Sequence, residues 1–368
     1  MGRITHLGRL GVAAVLLALG ALIAFAQPAV AAPPPAGHVY VQTNEAGGNR
    51  VVAFARASDG TLTQEQAVGT GGSGIAPTGL GSQASLAITA DGDHLLAVNA
   101  GSDDVSLFEI HADGLELADV TGVGDRPVSV AVRGSLVYVL DQGANTIEGL
   151  RITAADSLVR VRNSTRPLSS SAANGAEVAF SPNGRIIAVT EKGTQKIDTY
   201  VVGPNGRAAG PTVQASSGAT PFGFQFGPDG RLYVSEAPSS AVSSYDVAAD
   251  GTLSTITASL TNGQGAACWL VVSSDGRFAY TANASTANVS QYDIASNGAL
   301  SLVGDGNNGS TPNGPVDLDL SSGDRYLYVL SSGSGAITGF SVNPSNGALA
   351  SIGGPAGLGL GWAGMIAV

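Results

Sequence analysis

The sequence is poor in the residues that carry most redox, metal and nucleic-acid chemistry. It has one cysteine, Cys268, among 368 residues. That excludes an intramolecular disulfide and any multi-cysteine metal site. Histidines number four, and 17 Lys plus Arg stand against 28 Asp plus Glu, a net charge of −11. With no basic run, nucleic acid is excluded as a partner, because duplex binding requires phosphate neutralisation. Charged residues are only 12% of the chain, which argues against a disordered protein. Glycine is abundant, 52 residues, but lacks the strict three-residue period of collagen.

What is present begins with an address. Arg3 and Arg9 precede an uncharged apolar stretch from Leu10 to Ala26. Ala29-Val30-Ala31 then supplies the small residues of a cleavage site, ahead of Pro33 to Pro35. This is the pattern of a secretory signal over residues 1–31, followed by a flexible lead-in over 32–37. A secreted, periplasmic or cell-envelope location follows. The alternative is an uncleaved anchor, since the stretch is at the lower limit for spanning a bilayer. No later segment is long and apolar enough to span.

Residues 38–368 repeat themselves. Turn glycines Gly92, Gly134, Gly184, Gly230, Gly276 and Gly323 follow one another at steps of 42, 50, 46, 46 and 47 residues. Around them run short apolar or alternating segments such as Leu95 to Val98 and Val105 to Phe108. Asx-Gly pairs punctuate these runs at Asp91-Gly92, Asn183-Gly184, Asp229-Gly230 and Asp275-Gly276. A second set includes Asp59-Gly60, Asn205-Gly206, Asp250-Gly251 and Asn297-Gly298. Such pairs favour tight hairpins in which both central residues accept positive φ. Each unit therefore has four antiparallel strands, A to D, and the period points to a β-propeller. Val39 to Thr43 matches strand B, whereas Trp362 to Val368 matches strand A. An all-β, seven-bladed propeller is expected, its first blade closed by the C-terminal strand. A monomer is expected, because closing the ring hides the sheet edges.

The stretches SPNGRIIAV, GPDGRLYV, SDGRFAYTAN and GDRYLYVL resemble the lactonase-like seven-bladed propellers. That family includes 6-phosphogluconolactonase, the 3-carboxymuconate-lactonising enzyme and the YVTN-repeat surface proteins. The resemblance covers Val39 to Val368. It implies a Pro-Arg-His before one strand A and an Asn-Glu after the following strand B. Here Gly175-Ala176-Glu177 and Thr190-Glu191 occupy those places, so Arg and His are replaced and Glu191 is retained. The family's other histidine position falls at Val128. A histidine-dependent mechanism is therefore not expected.

The A–B and C–D hairpins of a propeller lie on one face and the variable B–C and D–A loops on the other, where binding is expected. Six residues before the first apolar residue of each strand C lie Glu45, Asn99, Asp141, Glu191, Glu236, Asn283 and Ser331. As a ring at the channel mouth, these could do acid–base work. Their oxygens would also suit calcium or magnesium, with Glu45, Asn99, Asp141 and Asn283 as ligands. The opposing reading is that each caps its own turn. Glu191, Glu177 and Glu236 are the catalytic candidates. Phe222, Trp269 and Asp317 on inner strands, and Arg126 and Arg166 on loops, are the substrate-binding candidates. Arg126 and Arg166, each before a proline, are expected in extended, exposed loops; Lys192 is the remaining basic residue of that face. Cys268 sits in an apolar strand and reads as an inert thiol. The function expected is a lactone hydrolase working through rim carboxylates on a lactone or carbohydrate-like ligand. The alternative is a non-catalytic binding propeller for an unidentified surface partner.

Overall fold

In the computed structural model, residues 1–2 and 34–368 are described. The expected export signal lies outside these residues. Pro35–Val368 forms one unit made of strands and turns alone. Among the described residues, no helix is long and apolar enough to cross a membrane.

The Asx-Gly pairs set the local structure, though not by the geometry expected from the dipeptide. In the A–B turns built on an Asx-Gly pair only the glycine has positive φ, as at Gly184 (70°) and Gly230 (87°). The preceding Asx keeps negative φ and accepts the N–H two residues on. Arg185 N donates to Asn183 Oδ1 at 2.9 Å, and Arg231 N to Asp229 Oδ1 at 3.1 Å. The glycine N–H closes the turn onto the carbonyl three residues back. These are type I turns with a left-handed glycine, not two-residue hairpins.

Seven antiparallel sheets follow, each with at least four strands. Blade 4 is representative: Gly175–Phe180, Ile186–Glu191, Lys196–Val202 and Ala208–Ala215 run from the channel outward. In blade 1 the innermost strand is Met365–Ala367, which pairs antiparallel with Val39–Val41. Neighbouring inner strands touch in sequence around the whole ring. The expected closure is therefore the one the chain adopts.

Two sets of bonds join the blades. On the periphery, buried tyrosines of strand B donate to the C–D turn of the next blade: Tyr138 to Gly206 O (3.0 Å), Tyr280 to Gly347 O (2.8 Å) and Tyr328 to Gly60 O (2.7 Å). The last crosses the closure. A Cβ at Gly60 would fall 2.5 Å from the Tyr326 ring, so the turn needs glycine for close approach as well as for φ.

Around the channel, inner-strand side chains accept from the next inner strand. Ser129 Oγ takes Val178 N (3.1 Å), Glu177 Oε2 takes Phe224 N (2.6 Å) and Gln225 Oε1 takes Val272 N (2.6 Å). Asp317 and Asp319 take Met365 N (2.9 Å) and Ala367 N (2.8 Å). Each such bond contributes about 1–3 kcal/mol, most where a carboxylate accepts.

Candidate functional site

The ring of polar residues at the ends of strand B is real but does not converge on the channel. Asn99, Asp141, Glu191, Glu236, Asn283 and Ser331 are the last residues of their strands and at most 1% exposed. In blade 1 the register pairs Gln42 with Val51 and carries Thr43 opposite Arg50. Thr43 therefore holds the equivalent place, and Glu45 lies two residues beyond it. Glu45 is in a longer loop and pairs with Arg50 at 2.9 Å.

Most members bond to their own turn or to the loop that precedes their inner strand. Glu191 accepts from Ser169 N (2.8 Å) and Ser169 Oγ (2.6 Å), and from Thr194 Oγ1. Glu236 accepts from Gly218 N (2.7 Å), Ser243 Oγ (2.6 Å) and Ser216 Oγ (3.2 Å). Asn99 and Asn283 donate to Ser106 and Ser290 and accept from Asn49 and Asn262. Asp141 is packed so tightly under its loop that a Cβ at Gly124 would fall 2.6 Å from its Cγ.

Two of these positions are acid pairs. Ser169 N also donates to Asp198 Oδ2 at 2.8 Å, so Glu191 and Asp198 share one donor. Burial opposes ionisation of Glu191, but its hydrogen bonds from Asp198, Ser169 and Thr194 prevail and hold it below the usual range. Burial, reinforced by Glu191, pushes Asp198 up to about 8. Asp141 rises to about 8 as well, through burial and then Glu148. Glu177 and Asp317, candidates from the inner strands, rise well above the carboxylate range through burial. The three catalytic candidates share no hydrogen-bond partner. Among the described residues, no three His, Cys, Asp or Glu side chains come together closely enough to hold a metal ion.

What the fold does assemble at the loop-face mouth is a cationic, aromatic patch. Phe222 and Trp269 meet edge to face, ring centres 5.1 Å apart. Lys192, directly after Glu191, holds its ammonium 5.2 Å above the Phe222 ring and donates to Gly81 O. Burial and then the nearby Arg126 cation lower Lys192 to about 8. Arg126 is neither extended nor fully exposed: its φ is +54°, and its Nε is buried without a partner. Its backbone N–H, donating to Asp103 Oδ1 at 2.8 Å, holds this turn. Arg166 is not part of the patch. It pairs with the outer edge of blade 3 and donates to Asn163 O (3.1 Å) and Thr165 O (2.7 Å). Cys268 is buried nearby, its thiol pushed up to about 12 by burial, and is inert.

The segment Leu80–Gln83 floors the patch. Trp269 Nε1 donates to Ser82 O at 2.9 Å. Gln83 reaches across the ring, donating to Leu270 O (2.7 Å) and accepting from Leu270 N (2.9 Å). Neither Gln83 nor the role of Lys192 was marked by a motif. The available signal for Lys192 was its place beside the retained Glu191.

The fold and this patch define a seven-bladed β-propeller with a cationic loop-face mouth. The chain belongs to the lactonase, seven-bladed beta-propeller family, whose model matches residues 30–172 and 172–359. Among solved structures it is similar to the periplasmic gluconolactonase PpgL of Pseudomonas aeruginosa, with a TM-score of 0.73 at 19% identity, covering 90% of this chain and 98% of that one. A Bacteroides fragilis protein provisionally assigned as a 6-phosphogluconolactonase gives 0.70 at 19% identity, over 90% and 97%. Virginiamycin B lyase of Staphylococcus aureus gives 0.53 at 15%, over 74% and 85%. At these identities the likenesses speak to fold alone. No curated protein sequence matches.

Proposed function

We propose that the chain is an exported lactone hydrolase acting at the loop-face mouth, with Lys192 and Arg126 in place of the family's histidine and arginine. The observation that carries this is Lys192: a partly buried amine, lowered to about 8, over an aromatic floor and beside a second cation. A base of that pKa is poised to take a proton from water near neutral pH. Water adds to the lactone carbonyl and its proton passes to Lys192 Nζ. Arg126 stabilises the negative charge that develops on the carbonyl oxygen. The ring C–O bond then breaks, and the departing ring oxygen takes the proton back from Lys192. Phe222 and Trp269 support the ring of a lactone or sugar. Glu191 is a positioning residue, fixing the turn that carries Lys192. Glu177 and Glu236, buried and bonded to backbone, hold the scaffold.

The likeness to a periplasmic gluconolactonase and the N-terminal pattern both support export. A second reading keeps the same patch as a non-catalytic site for an anionic ligand. It is favoured by the burial of Asp141, Glu191 and Glu236 among the rim acids. The test is hydrolysis of a panel of sugar and aliphatic lactones by the purified chain beside Lys192→Met. Turnover lost in the variant supports the hydrolase. Binding of an aldonate without turnover by the parent chain overturns it for the binding reading.

A further inference from the structure

The opposite face has an opening of its own. A cavity of about 610 Å³ lies among the A–B turns. Below it in the channel lies a second of about 170 Å³. Gln225 and Asp319 wall both, so the two adjoin. Gln83 closes the inner end. The result is a blind shaft entered from the hairpin face.

Its wall has one sign of charge. Asp91 and Asp324 stand at the entrance, Asp319 at the junction, and Glu177 and Asp317 at depth. Among the described residues, no Lys or Arg lines either cavity. Glu177 is 3% exposed; its Oε2 takes the Phe224 N–H, and its other carboxylate oxygen has no hydrogen-bond partner among the described residues. A buried acceptor thus faces the shaft with capacity to spare. Tyr40, its ring stacked 5.8 Å from that of His38, forms part of the entrance wall.

We propose that this shaft binds a linear organic polyamine, one ammonium seated at Glu177 and Asp317 and the next at the Asp319 junction or the entrance acids. The acids are strung along the shaft rather than gathered, and among the described residues no three are close enough to hold a metal ion. Spaced charge suits an extended cation, and a thin alkyl chain fits the narrow inner cavity. The Tyr40 ring adds a cation–π face at the entrance. Burial opposes ionisation of Glu177 and Asp317 and raises both well above the carboxylate range. Asp319, raised by burial to about 7, behaves alike. Seating an ammonium therefore expels a carboxyl proton, and affinity rises with pH. His38, Tyr40, Asp91 and Asp324 are the other titratable side chains facing the shaft.

The experiment is calorimetric titration of the full chain with putrescine and spermidine at pH 6.5 and 8.5, in two buffers of different ionisation enthalpy. Expected is saturable binding with proton release, tighter at the higher pH and tighter for spermidine. Glu177→Gln, which keeps an acceptor for Phe224 N, weakens it by about tenfold or more. Asp91→Asn, which keeps the side-chain acceptor for Asp93 N and so the turn, weakens it by about twofold to fivefold. Binding that both variants leave unchanged, or no binding at millimolar amine, overturns the proposal. So does calcium displacing spermidine at equal concentration, since a compact ion would then be the better fit.

Discussion

The two mouths of one channel carry opposite charge. At the loop face Lys192 and Arg126 sit over Phe222 and Trp269, on a floor made by Leu80–Gln83. At the hairpin face Asp91, Asp319 and Asp324 open onto a blind shaft. At the loop face Glu191 is bonded to its own turn at both oxygens, while Asp141, Asp198 and Glu236 keep buried oxygens without partners; in the hairpin shaft Asp317 and Asp319 accept backbone N–H groups at both oxygens, and Glu177 at one. A carboxylate at a rim is thus no evidence of chemistry until its hydrogen bonds are counted.

The comparison can be broken at its strongest point first. Lys192→Met should lower lactone turnover by about 100-fold or more while leaving spermidine binding intact. In the parent chain, kcat/KM should rise as pH passes through about 8, where Lys192 becomes neutral; a pH-stat assay reads both. Next, Gln83→Leu removes two bonds across the channel. The melting temperature should fall by about 3–6 °C, and lactone turnover should become sensitive to spermidine, since the two compartments then communicate.

A third measurement concerns the rim acid pairs. Asp141 and Asp198 hold their protons to about pH 8, whereas an unfolded aspartate releases its proton near about 3.9. The folded state therefore binds the extra protons. Their stabilisation is complete below about pH 4 and fades as pH rises toward 8. Melting followed by circular dichroism should show the chain more stable at pH 5.5 than at pH 8.5, and Asp141→Asn should flatten that slope. The smallest effect is expected from Glu236→Gln. Turnover should stay within about twofold, with a stability loss of about 1–2 kcal/mol from one weakened acceptor. A large loss of turnover there would return the chemistry to the rim carboxylates.

Much of the fold was legible because it is repeated. Six turn glycines at a near-constant step and a chain that begins in strand B specify a ring and its closure. The site was legible only in part, because side-chain direction is not repeated. Counting back from strand C reached Glu45, since the longer blade 1 loop was invisible to a fixed offset. Arg126 and Arg166 both precede proline, yet one turns into the mouth at positive φ and the other onto an outer edge. Glu177 and Asp317 drew attention as candidate site acids, but each also bonds a backbone N–H of the next blade, some 47 residues away in Glu177 to Phe224. No local pattern records such a partner.

The joint in blade 1 has a consequence for engineering. Val368 and His38 exchange backbone bonds at 2.9 and 3.1 Å, and the tyrosine clasp across the joint, Tyr328 to Gly60, is the same as those elsewhere. The ring therefore has no chemically privileged starting point. Linking the two ends and cutting at another outer Asx-Gly turn, such as Asp250-Gly251, would give a permuted chain with the same contacts. The order of synthesis and the site of the joint would change; the molecule that results would not.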